Sequence, residues 1–192
     1  MSEVKNNPKL VEYLKGIGVL QNPKVFSAFK SIDRADFVKP VDKKFAYENF
    51  PLSIGYGQTI SQPFTVAFML EKLEPKKGDE ILDIGSGSGW TTALLAQIVG
   101  PTGIVIGLEL NPELAEFGRR NLQKYKLNHA RIEKTEKKVL GKPSQEFDKI
   151  LVSASARKIP KELIEQLKPN GILVVPVEHS IFKVTKKIGA GC

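Results

Sequence analysis

The chain has 192 residues, of which 41% are hydrophobic and 26% charged, and its formal net charge is +8. This composition is that of an ordinary globular protein, and the length predicts a single domain with a sizeable core. No apolar run approaches the ~20 residues that span a bilayer, so we expect no membrane partner.

The cysteine content bears on the cellular compartment, and the distribution of lysines bears on the kind of partner. The only cysteine is Cys192, so an internal disulfide is impossible and a cytoplasmic protein is expected. The N-terminus, MSEVKNNPKL, has no hydrophobic signal core. Lysines are scattered in pairs such as Lys43-Lys44 and Lys137-Lys138, which is typical of a solvated surface. We expect a monomer with no dedicated nucleic-acid partner.

The N-terminal segment 1–50 is predicted to be helical. Asn7-Pro8 and Asn22-Pro23 each combine an N-cap with a first-turn proline, which indicates two helix starts. The stretch FPLSIGYGQTISQP (residues 50–63) then carries two prolines and two glycines but no charge, which is unusual for plain surface and predicts a functional loop. Ser61 is a good N-cap for the following helix, and a residue there can also face a bound carboxylate, so both roles stay open.

From residue 80 onward, predicted strands and helices alternate. The strands are 80–84, 104–108, 130–133, 148–153 and 172–176, and the helices are 90–99, 112–125 and 160–167. Such alternation predicts an α/β, Rossmann-like fold with a mostly parallel twisted sheet and helices on both faces. We expect one domain over 1–192, divided into the helical segment 1–50, a loop and helix over 51–75, and a core over 76–192.

The core is organised around ILDIGSGSGW (residues 81–90), where a strand turns through Gly85, Gly87 and Gly89 into a helix. Such a turn brings backbone N–H groups and a helix N-terminus up to a ligand. Trp90 occupies the sixth position, where the NAD fingerprint needs a small residue. With Asp83 in the strand, the pattern resembles motif I of the class I S-adenosylmethionine methyltransferases.

Acidic residues after the next two strands are candidates for binding the rest of a nucleoside. Glu109 follows the strand 104–108, and an acidic side chain at this tip is where ribose hydroxyls are bound. Together with the glycine turn, it predicts a ribose contact. Glu133 and Glu136 are the candidates for the adenine amine after the third strand, although a charged surface turn explains them equally well.

The sequence also limits the methyl acceptor. Cytosine C5 methylation needs a cysteine nucleophile, and Cys192 at the end of the chain does not fit. Exocyclic-amine methylation usually places an Asn/Asp-Pro-Pro-aromatic stack after the fourth strand, where this chain has VSASA (residues 152–156). This small-residue wall, with Ala154 and Ser155, leaves room for a backbone-like substrate.

The run FPLSIGYGQTISQPFTVAFM followed by ILDIGSGSGW resembles the protein-L-isoaspartate (D-aspartate) O-methyltransferase family. The family pattern is close to AYxDxPLPIGxGQTISQPxxVAxM, then VLEIGTGSGY. RADFV (residues 34–38) and FDKI (147–150) resemble further family elements, and the likeness covers about residues 7–177. The GQTISQP loop is the specific part, because the glycine turn alone marks only the superfamily.

The resemblance implies methyl esterification of the free α-carboxylate of L-isoaspartyl, and also D-aspartyl, residues in damaged proteins, with S-adenosyl-L-methionine as donor and no metal. It implies that Ser61 is the active-site residue. The implied substrate-binding residues are Thr59, Ile60, Ser61, Ala154 and Ser155. The implied cofactor-binding residues are Gln58, Asp83, Gly85, Ser86, Gly87, Ser88, Glu109, Leu110 and Glu136.

The chain departs from the family pattern in two places. The third-strand Gly-Asp-Gly motif aligns with Thr135-Glu136-Lys137, and VEHSI (residues 177–181) lacks the usual Gly and Gln. The chain also ends where the family continues, which predicts a last hairpin that is missing or shortened. Two alternatives remain: a class I methyltransferase for a small-molecule carboxylate or RNA, and a non-catalytic module that binds S-adenosylmethionine.

Overall fold

A computed structural model describes residues 7–187, which form eight strands and six α-helices. The strands are β1 (Leu52–Gly55), β2 (Gln58–Ile60), β3 (Glu80–Ile84), β4 (Ile104–Glu109), β5 (Ala130–Lys134), β6 (Phe147–Val152), β7 (Leu167–Val177) and β8 (Ser180–Thr185). The helices are α1 (Asn7–Gly16), α2 (Pro23–Ser31), α3 (Pro63–Leu73), α4 (Trp90–Val99), α5 (Pro112–Leu122) and α6 (Lys161–Glu165). Two 3-10 segments, Arg34–Phe37 and Pro40–Phe45, follow α2. None of these helices is long and apolar enough to cross a bilayer.

Strands β3 to β8 form one sheet in the order β5-β4-β3-β6-β7-β8. All neighbouring pairs are parallel except β7 and β8, which confirms the predicted α/β, Rossmann-like fold. The chain moves outward in one direction from β3 to β5 and in the other direction from β6 to β8. In open α/β sheets, ligands bind beyond the carboxyl ends of the strands at such a switch point. The topology therefore directs attention to the ends of β3 and β6.

Two cores cover the sheet unequally. Ile81 and Leu82 are neighbours in β3, both are fully buried, and they belong to different cores, because successive strand residues point to opposite faces. The first core joins helices α1 to α5 to one face. On the other face, the described residues contribute only the five-residue α6, because segment 135–146 connects β5 to β6 without a helix. The division of the chain at residues 50 and 75 stays a prediction.

Within the described residues the sheet ends in a hairpin of β7 and β8, and the expected shortening of the sheet stays a prediction. β8 pairs with β7 in antiparallel register from Ile172 opposite Thr185 to Val177 opposite Ser180. Glu178 adopts the left-handed conformation, with φ +53°, in the turn between the strands. This turn is usually easiest for glycine, and an L-residue pays about 1–2 kcal/mol for it. Glu178 in place of the family's glycine thus raises the conformational free energy of the turn, but β7 and β8 still pair.

Helix α5 packs directly against the glycine turn that follows β3. A Cβ on Gly118 would lie 2.6 Å from Ile132 Cδ1 and 2.9 Å from the Gly87 carbonyl oxygen. The buried Asn121 donates a hydrogen bond from Nδ2 to the Ser88 carbonyl at 3.0 Å. The glycine turn is therefore held from outside by the middle of α5.

We expect Gly118→Ala to destabilise the protein by about 1–3 kcal/mol, because a methyl group has no room there. Intrinsic helix propensity alone favours alanine by about 1 kcal/mol. Gly16→Ala is the control, since a Cβ at the end of α1 meets nothing within 4 Å. Urea unfolding of both variants checks this, and equal stability of the two would contradict the packing described here.

Candidate active site

The glycine turn lies at the carboxyl end of β3, and each of its glycines is needed for its backbone conformation. Gly85, Gly87 and Gly89 have φ values of +79°, +53° and +87°, a region that L-residues with a side chain rarely occupy. A Cβ on Gly85 would also lie 2.9 Å from the Ala154 Cβ. Ala154, which was predicted from the small-residue wall after β6, is thus adjacent to the turn at the switch point.

Glu109 connects the glycine turn to the tip of β4. Its side chain is buried, and its carboxylate accepts hydrogen bonds from the Gly87 N–H at 2.9 Å and the Asn111 N–H at 3.0 Å. An ionised carboxylate offers about four acceptor positions, so two remain for hydroxyl donors. The arrangement suits the predicted ribose contact, because the two backbone bonds fix the orientation of the carboxylate before a ligand arrives.

Asp83 lies beneath the turn and binds two hydroxyl groups. It is fully buried, and it accepts hydrogen bonds from Thr92 Oγ1 at 2.7 Å and Ser153 Oγ at 2.6 Å. Burial raises the pKa of Asp83 to about 6, against the opposing effect of the two hydroxyl donors. Asp83 therefore ties β3 to α4 and to the end of β6, and its predicted contact with the cofactor stays a prediction.

The turn also contains a polar atom that lacks a partner. Among the buried side-chain N and O atoms of residues 7–187, only Ser86 Oγ, Trp90 Nε1 and Arg34 Nε make no hydrogen bond. A buried hydroxyl without a partner is costly, and Ser86 occupies the second position of the turn. A ligand with a polar group would satisfy this hydroxyl. The glycine turn (residues 85–89) and the Glu109 carboxylate together form a cradle that fits a nucleoside cofactor such as S-adenosyl-L-methionine.

The stretch predicted as a loop over residues 50–63 instead contains an antiparallel hairpin. β1 pairs with β2, with Leu52 opposite Ile60 and Ser53 opposite Thr59. Tyr56 and Gly57 form the connection with φ values of +54° and +72°, as a two-residue type I′ turn requires. Prolines and glycines on either side hide this short alternating pattern in the sequence.

The hairpin lies against the glycine turn. A Cβ on Gly87 would be 3.1 Å from Ile54 Cδ1, so the Ile54 side chain touches the middle of the turn. Ile54 and Tyr56 also line a groove of about 540 Å³ between the hairpin and α5, a volume in the usual range of ligand sites. Gln58, Thr59 and Ile60 form β2, and their predicted contacts with substrate and cofactor stay predictions.

Ser61 follows β2 directly, and its predicted role as the N-cap of α3 is wrong. The N-cap is Gln62, whose side chain makes no capping bond. The side chain of Asn49 replaces it, since its Oδ1 accepts a hydrogen bond from the Phe64 N–H at 2.9 Å. The Ser61 carbonyl accepts from Arg34 Nη2 at 3.1 Å. The Ser61 hydroxyl is thereby free of a capping duty.

The predicted adenine side of the site is exposed. Glu136 is exposed two residues beyond β5, and the Thr135 N–H donates to the Glu109 carbonyl at 2.9 Å. Glu133, the other candidate, instead accepts bonds from Arg131 at 2.8 Å and Lys142 at 2.7 Å. Leu110 is 47% exposed beside Glu109, and Ser155 is exposed beside Ala154. Glu136 is therefore the better placed of the two acidic candidates.

The comparisons with known proteins agree with this geometry. Residues 5–191 match the sequence model of the family described as protein-L-isoaspartate (D-aspartate) O-methyltransferase. The chain belongs to this family. A protein-L-isoaspartate O-methyltransferase of Ignicoccus hospitalis is 38% identical over 183 residues, covering 93% of this chain and 87% of the relative. One from Pyrococcus horikoshii is 43% identical over 175 residues, covering 88% and 76%.

The structural comparison gives the same fold over nearly the whole chain. A Plasmodium falciparum protein described as a protein-L-isoaspartate O-methyltransferase, in complex with S-adenosyl-L-homocysteine, superimposes with a TM-score of 0.85. It is 29% identical, and the match covers 97% of this chain and 92% of that one. Family membership thus extends from the N-terminal helices to the last hairpin.

Several residues that shape the site were given no role by the sequence. Arg34 and Asn49 lie in segments that match the family pattern, but neither has a local signal for its long-range contacts. Asn121 lies on the buried face of α5 with Leu114 and Gly118, and a single polar residue on that face does not reveal its partner. Ile54 is one apolar position in an uncharged stretch. Only strand pairing and packing bring these side chains to their partners around the site.

Asp83→Asn should change how stability depends on pH. Between about pH 4 and pH 6 the folded protein keeps a proton on Asp83 that the unfolded chain has released, given its raised pKa of about 6. Asp83 therefore adds stability as the pH falls through this window and costs stability above it. We expect the unfolding free energy of the wild type, minus that of the variant, to rise by up to about 3 kcal/mol from pH 7 to pH 4.

Urea unfolding at several pH values measures this difference. Glu12→Gln, which removes an exposed carboxylate from α1, serves as the control for general charge effects. A difference between wild type and Asp83→Asn that stays constant with pH would contradict the raised pKa.

Proposed function

We propose that this protein transfers a methyl group from S-adenosyl-L-methionine to the free α-carboxylate of L-isoaspartyl residues, and of D-aspartyl residues, in damaged proteins. The observation that carries the proposal is the seating of the β1–β2 hairpin on the glycine turn, through Ile54 and Gly87. It brings the substrate stretch of the family pattern and the predicted cofactor cradle to one edge of the sheet. Membership of the family supports the choice of acceptor.

The cofactor would be held by the glycine turn, the Ser86 hydroxyl and the Glu109 carboxylate. When bound, S-adenosyl-L-methionine supplies a methyl group made electrophilic by its sulfonium. Glu109 would accept hydrogen bonds from ribose hydroxyls, and Leu110 and Glu136 would contact the base. Gln58, the first residue of β2, would contact the cofactor from the hairpin side of the site.

No general base is needed for this reaction. A carboxylate with a pKa near 4 is already ionised at neutral pH and can attack directly. Both histidines lie elsewhere: the His129 ring is 2.9 Å from the Ala96 carbonyl, and His179 is exposed in the turn after β7. The task of the chain is to align the acceptor, and alignment alone can supply several kcal/mol.

Ser61 would hold the acceptor carboxylate by donating a hydrogen bond from its hydroxyl. Thr59 and Ile60 precede it in β2, and Ala154 and Ser155 would form the opposite wall. A hydroxyl binds a carboxylate without protonating it, so the nucleophile keeps its charge. An uncharged stretch is suited to this role, because a directly paired cation would weaken the nucleophile.

The test is methyl transfer from labelled S-adenosyl-L-methionine to three acceptors: an isoaspartyl peptide, its aspartyl isomer and bulk RNA. We expect label only in the isoaspartyl peptide. Label in RNA, or in a small carboxylic acid offered alone, would favour the alternative acceptors. Binding of the cofactor without transfer to any acceptor would favour a non-catalytic module.

Ser61→Ala should lower kcat by about 10- to 100-fold, as expected for the loss of a hydrogen bond to a charged group. The affinity for S-adenosyl-L-homocysteine should change much less, because Ser61 acts on the acceptor. Ser27→Ala, on the exposed face of α2, is the matched control. An unchanged kcat in Ser61→Ala would remove Ser61 from the active site.

The proposal includes a cytoplasmic, monomeric enzyme whose macromolecular partners are its isoaspartyl substrates. The single cysteine at position 192 supports a reducing compartment. The scattered lysines support a solvated surface over a dedicated nucleic-acid face.

A further inference from the structure

Arg34 is a buried cation close to Ser61. Its side chain is fully buried, and its guanidinium group donates four hydrogen bonds to backbone carbonyls. Nη1 donates to Ala46 at 2.8 Å and Glu48 at 3.3 Å, and Nη2 donates to Phe50 at 3.0 Å and Ser61 at 3.1 Å. All four terminal N–H groups of the guanidinium are thereby used.

These carbonyls belong to both ends of the β1–β2 hairpin. Phe50 lies just before β1, and Ser61 lies just after β2, so one Nη2 group joins the chain entering the hairpin to the chain leaving it. The guanidinium carbon also lies 5.3 Å from the centre of the Trp90 ring. Trp90 is the first residue of α4, directly after Gly89. Arg34 therefore contacts the hairpin base on one side and the helix of the glycine turn on the other.

The burial of this charge is expensive, and no anion offsets it within residues 7–187. None of the ion pairs among these residues includes Arg34, and burial lowers its pKa to about 10, so the group stays charged at neutral pH. A neutral side chain would avoid the desolvation cost. Arginine differs in presenting a planar fork of donors in a fixed geometry, and that geometry matches the converging carbonyls.

We propose that Arg34 is a positioning residue for methyl transfer, which fixes Ser61 relative to the glycine turn by holding both ends of the hairpin. The proposal rests on the proposed function, because the step that it serves is alignment of the acceptor carboxylate. A second contact supports the same base, since Gln62 Nε2 donates to the Asn49 carbonyl at 2.9 Å. The bond between Gln62 and Asn49 does not involve Arg34, so it does not connect Ser61 to Trp90.

A positioning role requires that Arg34 hold Ser61 in an accurate place, and an experiment can distinguish this effect on the rate from an effect on the stability of the fold. Arg34→Lys keeps the charge and the hydrophobic stem, but a single ammonium cannot reach the four carbonyls in this geometry. A misplacement of about 1 Å at a reacting centre can cost about 100-fold in rate. We therefore expect kcat for the isoaspartyl peptide to fall by about 100-fold in Arg34→Lys, while the Kd for S-adenosyl-L-homocysteine changes by less than about threefold.

Two further variants make the result specific. Arg119→Lys is the control, because Arg119 also donates to a backbone carbonyl, that of Ile132 at 2.9 Å, but lies on α5 away from the hairpin; its kcat should equal that of the wild type. Arg34→Gln removes the charge, keeps two donors and leaves no unpaired ammonium to hinder folding. We expect it to lose kcat as Arg34→Lys does, and it replaces that variant if circular dichroism shows Arg34→Lys unfolded.

The outcomes separate cleanly. A variant that is less stable but has wild-type kcat at a temperature where it is folded would make Arg34 purely structural and overturn the proposal. A parallel loss of cofactor affinity would also overturn it, because the effect would then pass through the cradle. Hydrogen exchange of the wild type adds a test without substitution: the amides of residues 50–62 should exchange slowly without ligand, and fast exchange would contradict the proposal. The wild-type reaction tests the proposed function in the same assay, so the two can fail separately.

Discussion

The hydrogen bond from the Gly87 N–H to the Glu109 carboxylate is the contact on which the site depends. It joins the turn after β3 to the tip of β4, two strands that run side by side but end in separate loops. The bond needs a positive φ at Gly87 and the close approach of α5 at Gly118. The same carboxylate also accepts from Asn111 at the start of α5. The turn, the strand tip and the helix are thus fixed together before any ligand binds.

Above this cradle, the hairpin and its base form a second unit. Ile54 rests on Gly87, Arg34 holds Phe50 and Ser61, and Asn49 caps α3. The 3-10 segment that carries Arg34 is itself attached to the turn that follows α5, since Tyr125 donates to Asp36 at 2.8 Å and accepts from the N–H of the N-cap Asp33 at 2.9 Å. The N-terminal part of the chain is therefore built into the walls of the site. An acceptor placed by Ser61 and a cofactor placed by Glu109 would share one rigid frame.

Local signals in the sequence were sufficient to predict β3, the glycine turn and α4, which form the centre of the fold. β3 and α4 have the predicted bounds, because a buried apolar run and a glycine turn determine their own conformation. The hairpin was missed because β1 and β2 are only four and three residues long and are surrounded by prolines and glycines. The cap of α3 was assigned to Ser61 because a cap supplied by Asn49, fifteen positions from Phe64, leaves no pattern. Glu178 shows the same limit, since a non-glycine residue in a left-handed turn is favoured only by the pairing of β7 with β8.

The adenine side is where the chain differs most from its family pattern and where the structure adds the most. Glu136, which lacks the two flanking glycines of the family pattern, lies in a mostly exposed segment without a helix between β5 and β6. Gln166 holds this segment by donating to the Leu140 carbonyl at 2.9 Å and accepting from the Lys142 N–H at 2.6 Å. Glu133 is paired with Arg131 and Lys142, whereas Glu136 is exposed next to Thr135, whose N–H donates to the Glu109 carbonyl. The cofactor would thus be held most firmly at its ribose and less firmly at its base.

The most direct measurement of this account is the calorimetric affinity of Glu109→Ala for S-adenosyl-L-homocysteine. Loss of hydrogen bonds to a charged group should cost about 1.5–3 kcal/mol, which corresponds to a Kd about 10- to 100-fold weaker than that of the wild type. Glu12→Ala, an exposed carboxylate on α1, should leave the Kd unchanged. If Glu109→Ala bound as tightly as the wild type, the carboxylate at the tip of β4 would not hold the cofactor, and the central claim would be wrong.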